Sequence, residues 1–447
     1  MPQFRATALA RFRIDRTVSM VDHVIVGAGI IGICSALALR RAGLDVLLLD
    51  RGAPGAETSH GNTGVLVESP WRIPGGRELL RRLPRILLGR DRAVRIAPGH
   101  WPAAAALLVR MMRDPDHDAT RAVALHRLLR TSLTLHRTWI AEAEATNILR
   151  ETGWLKLFRT SKVAAVFALD LELLRRSGTV HRFLDAGDLR ALEPALAPGC
   201  AGGLLLENAC SLSSPRTLSE RYMAHFLRLG GRFAQTAVTG IAPDGAGWRI
   251  LHSDGCVSAG SVVVAAGPWS ADLLAPLGFR LPMFFERGYH LHLSPGPGPS
   301  LRRPVHDIAG GYVMTPQSAG VRVTSGVEIA ARDAPPQEAQ IRRAVQAARA
   351  LAALGPPVED RAWMGSRPSL PDGLPAIGPL PGRPGIWLNV GHHHVGLSLA
   401  AGSGDLLARR MAGTAAADEA SPFEPGRLWP DAPRPASAEE TTDVRPL

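Results

Sequence analysis

The segment Gly27-Ala28-Gly29-Ile30-Ile31-Gly32 constrains the fold of this chain more than any other. It lies between an apolar run, His23-Val24-Ile25-Val26, and a helical stretch that runs through Arg41 and is stopped by Gly43. A second apolar run, Val46 to Leu49, ends in Asp50. This order predicts a βαβ unit with separate work for each glycine. Gly27 makes the tight turn, Gly29 lets a pyrophosphate approach the backbone, and Gly32 lets the helix pack closely on the strand. The helix N-terminus offers free N–H groups and the positive end of a dipole. Asp50 stands at the offset where an acid accepts ribose hydroxyls and disfavours a 2′-phosphate. A bare tight turn would leave Asp50 without a purpose, so the unit predicts dinucleotide binding.

The uncharged run Val24–Leu39 is shorter than the roughly 20 residues a bilayer span requires, and Asp22 and His23 stand directly before it. It is read as buried strand, turn and helix rather than as a membrane span or signal peptide. Residues 1–20 show no period and form an N-terminal extension, with Met20 as an alternative start.

Downstream the pattern alternates. Helical spacing covers Ala103–Met112, Ala122–Glu144 and Leu218–Leu229, and strand-like runs cover Trp154–Phe158, Leu281–Leu293, Gly311–Met314 and Val321–Ser325. Trp248–Ser253 and Cys256–Ala259 read as a hairpin through Asp254-Gly255, and Ser261–Gly267 as a further buried strand ending in a glycine turn. Gly385–Val390 reads as a buried strand and Val395–Met411 as a helix. The expected fold is therefore α/β, a Rossmann-like nucleotide domain built from residues 21–95, 200–278 and 358–413. An antiparallel β-sheet with helices, residues 96–199 and 279–357, is interleaved with it as a substrate domain. Residues 414–447, rich in Pro, Ala and Glu, are expected to be an extended surface tail.

Basic residues exceed acidic ones by 51 to 40, yet only Lys156 and Lys162 are lysines, and the arginines are scattered. A nucleic-acid binder would concentrate its charge on one element with interleaved aromatics, so no nucleic-acid partner is expected. The densest stretch, Arg72–Arg95, includes Arg77, Arg81, Arg82, Arg85, Arg90 and Arg92. It reads as a solvated face, with a nucleic-acid or membrane contact as the functional alternative. Cys34, Cys200, Cys210 and Cys256 form no CxxC and read as small buried hydrophobes of a reducing compartment. The adjacent histidines His392, His393 and His394 diverge in direction and have no carboxylate or cysteine at ligand spacing, so no metal is expected.

Several ordered motifs, from about Val21 to Gly413, resemble the superfamily of FAD-dependent D-amino acid oxidases, and within it the small-subunit type of bacterial D-amino acid dehydrogenase. They are the glycine fingerprint, Thr58-Ser59-His60-Gly61-Asn62-Thr63-Gly64, Val262 to Ser270, Arg287-Gly288-Tyr289, and Gly365-Ser366-Arg367-Pro368 with Pro371-Asp372-Gly373. The resemblance implies FAD as cofactor. It also implies an amino acid substrate whose α-carbon hydride passes to flavin N5, leaving an imine that water converts to a 2-oxo acid and ammonia.

By the same resemblance Gly27, Gly29, Ile30, Ile31 and Gly32 hold the pyrophosphate, and Asp50 and Arg51 lie at the adenosine ribose. Thr58, Ser59, Gly61 and Asn62 run beside the flavin. Val238 pairs its backbone with adenine, Ala266 and Gly267 also belong to the cofactor-binding set, and Gly391, His392, Gly396 and Leu397 sit under the pyrimidine edge. Arg367 is the expected anchor of the substrate carboxylate, because a guanidinium bonds it through two parallel contacts. Tyr289 and Tyr312 are expected to cap the site with hydroxyl donors. His60, in the flavin loop, is a candidate to hydrogen-bond the flavin or substrate or to carry a covalent flavin link. A glycine-, sarcosine- or hydroxyproline-type amine oxidase and an RNA-modifying flavoprotein are the alternatives. A quinone or other acceptor is expected to take the electrons. The protein is placed in the cytoplasm or on the inner face of the membrane, with its oligomeric state left open.

Overall fold

Strand β1 (Val21–Val26), helix α1 (Ile30–Arg41) and strand β2 (Val46–Asp50) form the predicted unit in the computed structural model, which describes residues 20–69, 76–102, 104–105, 118–161 and 168–430. β1 and β2 are parallel, with Val26 opposite Leu49, and their apolar side chains are buried as expected of parallel strands covered on both faces. On its other edge β1 pairs in parallel with strand β3 (Gly255–Val264), and Arg232–Gln235 and Ile386–Val390 extend the parallel set on either side. The strand predicted at Ser261–Gly267 and the second arm of the predicted hairpin are one continuous strand. The first half of β3 pairs antiparallel with Gly247–His252, and Val262 to Val264 pair with β1 and with Ile386 to Leu388. The turn at Asp254-Gly255 reverses the chain where it was expected to, but nothing local breaks the strand that follows.

The second sheet has eleven strands among the described residues. At its centre is the long strand β4 (Phe284–Pro295), which pairs antiparallel with β5 (Gly320–Thr324) on one side and β6 (Trp363–Ser369) on the other. Val94–Ile96, Gly202–Leu206 and β6 all belong to this sheet. The boundaries drawn from chain order had placed Val94 and Arg95, Gly202–Leu206 and β6 in the nucleotide domain. They are short pieces whose partners lie far away in sequence, so no local period marks their sheet. The stretch from Thr414 to residue 430 also differs from the extended tail expected. It forms short helical turns that bury Ala420, Phe423 and Leu428, and Arg427 bonds Asp372 at 2.6 Å. The expected helix Ala103–Met112 lies largely outside the described residues. Among the cysteines, Cys34 and Cys210 are buried, Cys200 is half-buried, and Cys256 is exposed at the hairpin turn.

Helix α1 is covered by α3 (Gly396–Met411) and by the helix Pro215–Arg228, and α2 (Asp118–Glu142) packs against α3. His136 of α2 is fully buried, with Nδ1 2.9 Å from the Tyr222 hydroxyl and Nε2 donating to the Leu397 carbonyl at 2.9 Å. Burial lowers its pKa from 6.5 to about 4, so the folded form holds it neutral. The stability this confers is present above pH 6.5 and is lost as the pH falls toward 4. Between pH 7 and pH 5 the loss should be about 2 kcal/mol. Urea unfolding at the two pH values should show that difference in the wild type and a smaller one in His136→Gln; equal differences would assign the acid sensitivity to other groups.

Candidate active site

A cavity of about 380 Å³ opens at the C-terminal ends of the parallel strands, where Val26, Leu49, Ala265 and Val390 reach its wall. Open α/β sheets offer ligands a crevice at this edge, outside the carboxyl ends of the strands. Of the residues expected to hold the cofactor, Gly27, Gly29, Ile30, Ile31, Asp50, Arg51, Thr58, Ser59, Gly61, Asn62, Val238, Ala266, Gly267, Gly391, His392, Gly396 and Leu397 line it. Gly32 stands behind the wall. A Cβ there would overlap the Gly27 carbonyl oxygen, so the helix can approach the turn only with glycine at this position.

The turn is braced by the residues that follow it. Asp50 Oδ2 accepts the Ala28 amide at 2.6 Å and Oδ1 the Gly52 amide at 2.8 Å, and burial raises its pKa against those two bonds. Ser59 Oγ accepts the Ile30 amide at 2.9 Å, capping α1 from a loop that follows β2. Thr58 Oγ1 donates to the Ser366 carbonyl at 2.8 Å, which ties that loop to β6. Trp269, absent from the expected set, lies on the wall with the Arg51 guanidinium 4.0 Å from its ring centre and that of Arg332 5.6 Å away.

These residues fit a flavin dinucleotide on their own chemistry. His392 is buried in the wall with no partner for Nε2 among the described residues, and burial lowers its pKa to about 3, so it is a neutral imidazole with an unused nitrogen. Asn389 Oδ1, also in the wall, is buried and has no partner among the described residues. Orphaned polar atoms of this kind are costly unless a bound group satisfies them. The turn from Gly391 ends at the N-terminus of α3, one residue later than expected, after a single 3-10 turn in which His393 takes φ +51°.

Arg367 lines the same cavity, and its guanidinium makes no hydrogen bond among the described residues. It lies opposite Glu286 in the β4–β6 register, and its guanidinium occupies the space where a Cβ of Gly288 would stand. Burial lowers its pKa while the Glu286 charge opposes the change. Burial works against ionisation of Glu286 too, but His393 and His394 outweigh it and hold its carboxyl below the ordinary range. His394 Nδ1 is 3.4 Å from Glu286 Oε2, and both histidines reach the cavity wall.

Three expected site residues are placed elsewhere. Tyr289 faces the opposite side of β4, where its hydroxyl accepts from Arg287 Nη2 at 2.6 Å and from the Gln337 amide at 3.0 Å, and donates to Glu328 Oε2 at 2.5 Å. Tyr312 is buried beside the Arg159–Asp307 ion pair, its hydroxyl 3.4 Å from Arg159 Nη2. Neither hydroxyl reaches the cavity, which corrects the capping role expected of both. His60 packs edge-on against His290 and Trp363, behind Gly61, and burial lowers its pKa.

Trp363 stands in the wall two and four residues before Gly365 and Arg367 on one face of β6, so strand alternation from the quoted Gly365–Pro368 motif could have found it. Glu286 and His394 carried no comparable signal. Their meeting depends on a pairing of distant strands. Among the described residues no cluster fit to hold a metal ion is present, and no helix is long and apolar enough to cross a membrane.

The sheet edge, the glycine turn and the acid at the end of β2 define a dinucleotide-binding fold. Residues 22–410 match the family model for DAO, FAD dependent oxidoreductase, and the chain belongs to that family. It is 30% identical over 420 residues to a D-amino-acid oxidase of Bradyrhizobium diazoefficiens, covering 91% of this chain and 99% of that one. It is 34% identical over 417 residues to a D-amino acid dehydrogenase of Rhizorhabdus wittichii, covering 87% and 96%. Among solved structures, glycine oxidase from Geobacillus kaustophilus superposes with a TM-score of 0.71 at 23% identity, over 91% of this chain and 98% of that one. L-proline dehydrogenase from P. horikoshii gives the same TM-score at 16% identity, over 93% and 100%. The protein is thus an FAD-dependent oxidoreductase of the DAO family.

Proposed function

We propose that this protein oxidises the C–N bond of a D-amino acid, giving an imine that water hydrolyses to a 2-oxo acid and ammonia. The observation that carries the reading is Arg367, a guanidinium without a hydrogen-bond partner among the described residues, in the wall of the cavity that begins at the dinucleotide turn. An unpaired guanidinium there suits a carboxylate held through two parallel bonds, which fixes the tilt of the α-carbon. The D configuration is supported by the two relatives named for D-amino acids. FAD, when bound, supplies the two-electron acceptor. The substrate amine must be neutral when the hydride leaves the α-carbon, because its lone pair forms the C=N bond. His394, oriented by Glu286, is the wall residue we assign to hold that proton, since His392 is kept neutral by burial. We assign Gly27, Gly29, Ile30, Ile31 and Asp50 to the pyrophosphate and ribose, and Gly61, Asn62, Gly391, His392, Gly396 and Leu397 to the flavin.

The acceptor is read as a quinone in an anionic membrane. Helix Gly76–Leu87 and the residue after it expose Leu80, Leu87 and Leu88, at 42%, 59% and 66%, beside exposed Arg81, Arg85 and Arg90. Apolar side chains edged by arginines suit a helix lying on an anionic bilayer, at about 1 kcal/mol per charge. The cavity wall holds no lysine among the described residues, and Lys162 lies outside them. One experiment tests substrate and acceptor together. Anaerobic mixing with D-amino acids should bleach the flavin band, whereas glycine, sarcosine and cyclic imino acids should do so slowly. The reduced protein should then reoxidise faster with quinone-loaded anionic vesicles than with air-saturated buffer. Bleaching only by the non-D substrates would transfer the assignment to that class, and reoxidation by air as fast as by quinone would make the protein an oxidase.

A further inference from the structure

The carbonyl groups of the loop beside the cavity are gripped from behind by the second sheet. Arg322 of β5 donates through Nη1 to the His60 carbonyl at 2.9 Å and to the Asn62 carbonyl at 2.6 Å. The next carbonyl, of Thr63, accepts from Gln317 Nε2 at 3.2 Å. Arg322 is only 3% exposed and touches no carboxylate directly among the described residues. Its Nε donates to His292 Nε2 at 3.0 Å, and the other nitrogen of His292 bonds Glu359. An acceptor at Nε2 requires the proton of His292 to sit on Nδ1, so the imidazole relays the Glu359 charge to a guanidinium it does not touch.

A buried cation with its counter-ion one residue removed is a costly way to hold two carbonyls. Gln317 does similar work next door without a charge. Burial lowers the pKa of Arg322 to about 10, which leaves it a cation at neutral pH, and the same charge helps keep His60 and His290 neutral. The consequence of the charge lies on the other side of the loop. In a trans peptide the C=O and N–H point in opposite directions, so binding the His60 carbonyl directs the Gly61 amide away from Arg322. That amide has no partner among the described residues, and Gly61 forms part of the cavity wall. A hydrogen bond from a cation to the carbonyl also polarises the peptide and makes its N–H a stronger donor.

We infer that Arg322 is a positioning residue that presents a polarised Gly61 amide to the flavin and, through its buried charge, raises the flavin's affinity for electrons, with His292 and Glu359 moderating that charge. The inference rests on the assignment of the Gly61–Asn62 loop to the flavin. Two substitutions should move the reduction midpoint of bound FAD in opposite directions. Arg322→Met removes the cation, and should weaken FAD binding about tenfold or more and shift the midpoint negative. A tenfold loss of preference for reduced flavin corresponds to about 30 mV for a two-electron couple. Glu359→Gln leaves the cation less compensated and should shift the midpoint positive. Arg322→Lys should fall between wild type and Arg322→Met. FAD affinity is read by titrating apoprotein, and the midpoint by equilibration with a reference dye. Unchanged midpoints with lowered melting temperatures, or shifts of the same sign in Arg322→Met and Glu359→Gln, would reduce Arg322 to a structural strut. If Arg322→Met fails to fold, the sign of the Glu359→Gln shift decides alone. Failure of the wild type to bind FAD would instead overturn the assignment of the cavity.

Discussion

Replacing Gly32 with alanine is expected to give colourless protein, whereas Gly29→Ala should remain yellow with weakened FAD. The contrast comes from what each new Cβ would meet. At Gly29 the nearest atom is Ser59 Oγ at 3.4 Å, an ordinary contact on the cavity side of the turn. At Gly32 the Cβ would overlap the carbonyl oxygen of Gly27, a backbone atom in a residue with φ +111°. Nothing flexible stands there to give way. The helix must lift from the turn, and overpacking of this kind costs roughly 1–3 kcal/mol even where side chains can adjust. The lift also moves the first amides of α1 from the cavity wall, where Ile30 and Ile31 now stand. Absorbance at about 450 nm per mole of purified protein reads FAD content. Stoichiometric FAD in Gly32→Ala would place the pyrophosphate somewhere other than this turn.

The parts of the molecule that were legible in the sequence are those whose cause is local. The βαβ unit shows itself through glycine spacing and two apolar runs, and its elements lie within a residue or two of where they were expected. The second sheet is different. β4 pairs with β5, β6, Val327–Ile329 and Leu354–Pro357, which follow it in the chain at varied distances, and no period in the sequence records which face each residue takes. Tyr289 shows the consequence. It adjoins Gly288 in a familiar motif, but strand alternation sends Gly288 toward Arg367 and Tyr289 toward the buried pair Arg287 and Glu328, whose side chains are 1% and 2% exposed. Arg322 was equally hidden, since among so many arginines only its bonds to His60 and Asn62 set it apart. Arg367 could be singled out because its motif and its place on the wall of the nucleotide cavity agree, although the strand that carries it belongs to the other sheet.

Arg367→Lys is expected to raise KM for the amino acid roughly tenfold to hundredfold while leaving FAD affinity near the wild-type value. The loss of one arm of a charge-assisted bidentate pair costs on the order of 1.5–3 kcal/mol. Lysine keeps the charge that faces Glu286, so the variant separates geometry from electrostatics. An ammonium binds one carboxylate oxygen at a time and leaves the α-carbon free to rotate, so kcat should fall as well. Gly288→Ala provides a second route to the same loss without changing the arginine. Its Cβ would claim the space the guanidinium now fills, and the displaced Arg367 should raise KM with FAD still bound. Initial rates against a range of substrate concentrations, set beside FAD titrations of the same preparations, separate the two effects. Unchanged KM in both variants for every carboxylate substrate would move the anchor to another residue, and parallel losses of substrate and FAD binding would make Arg367 part of the cofactor site instead.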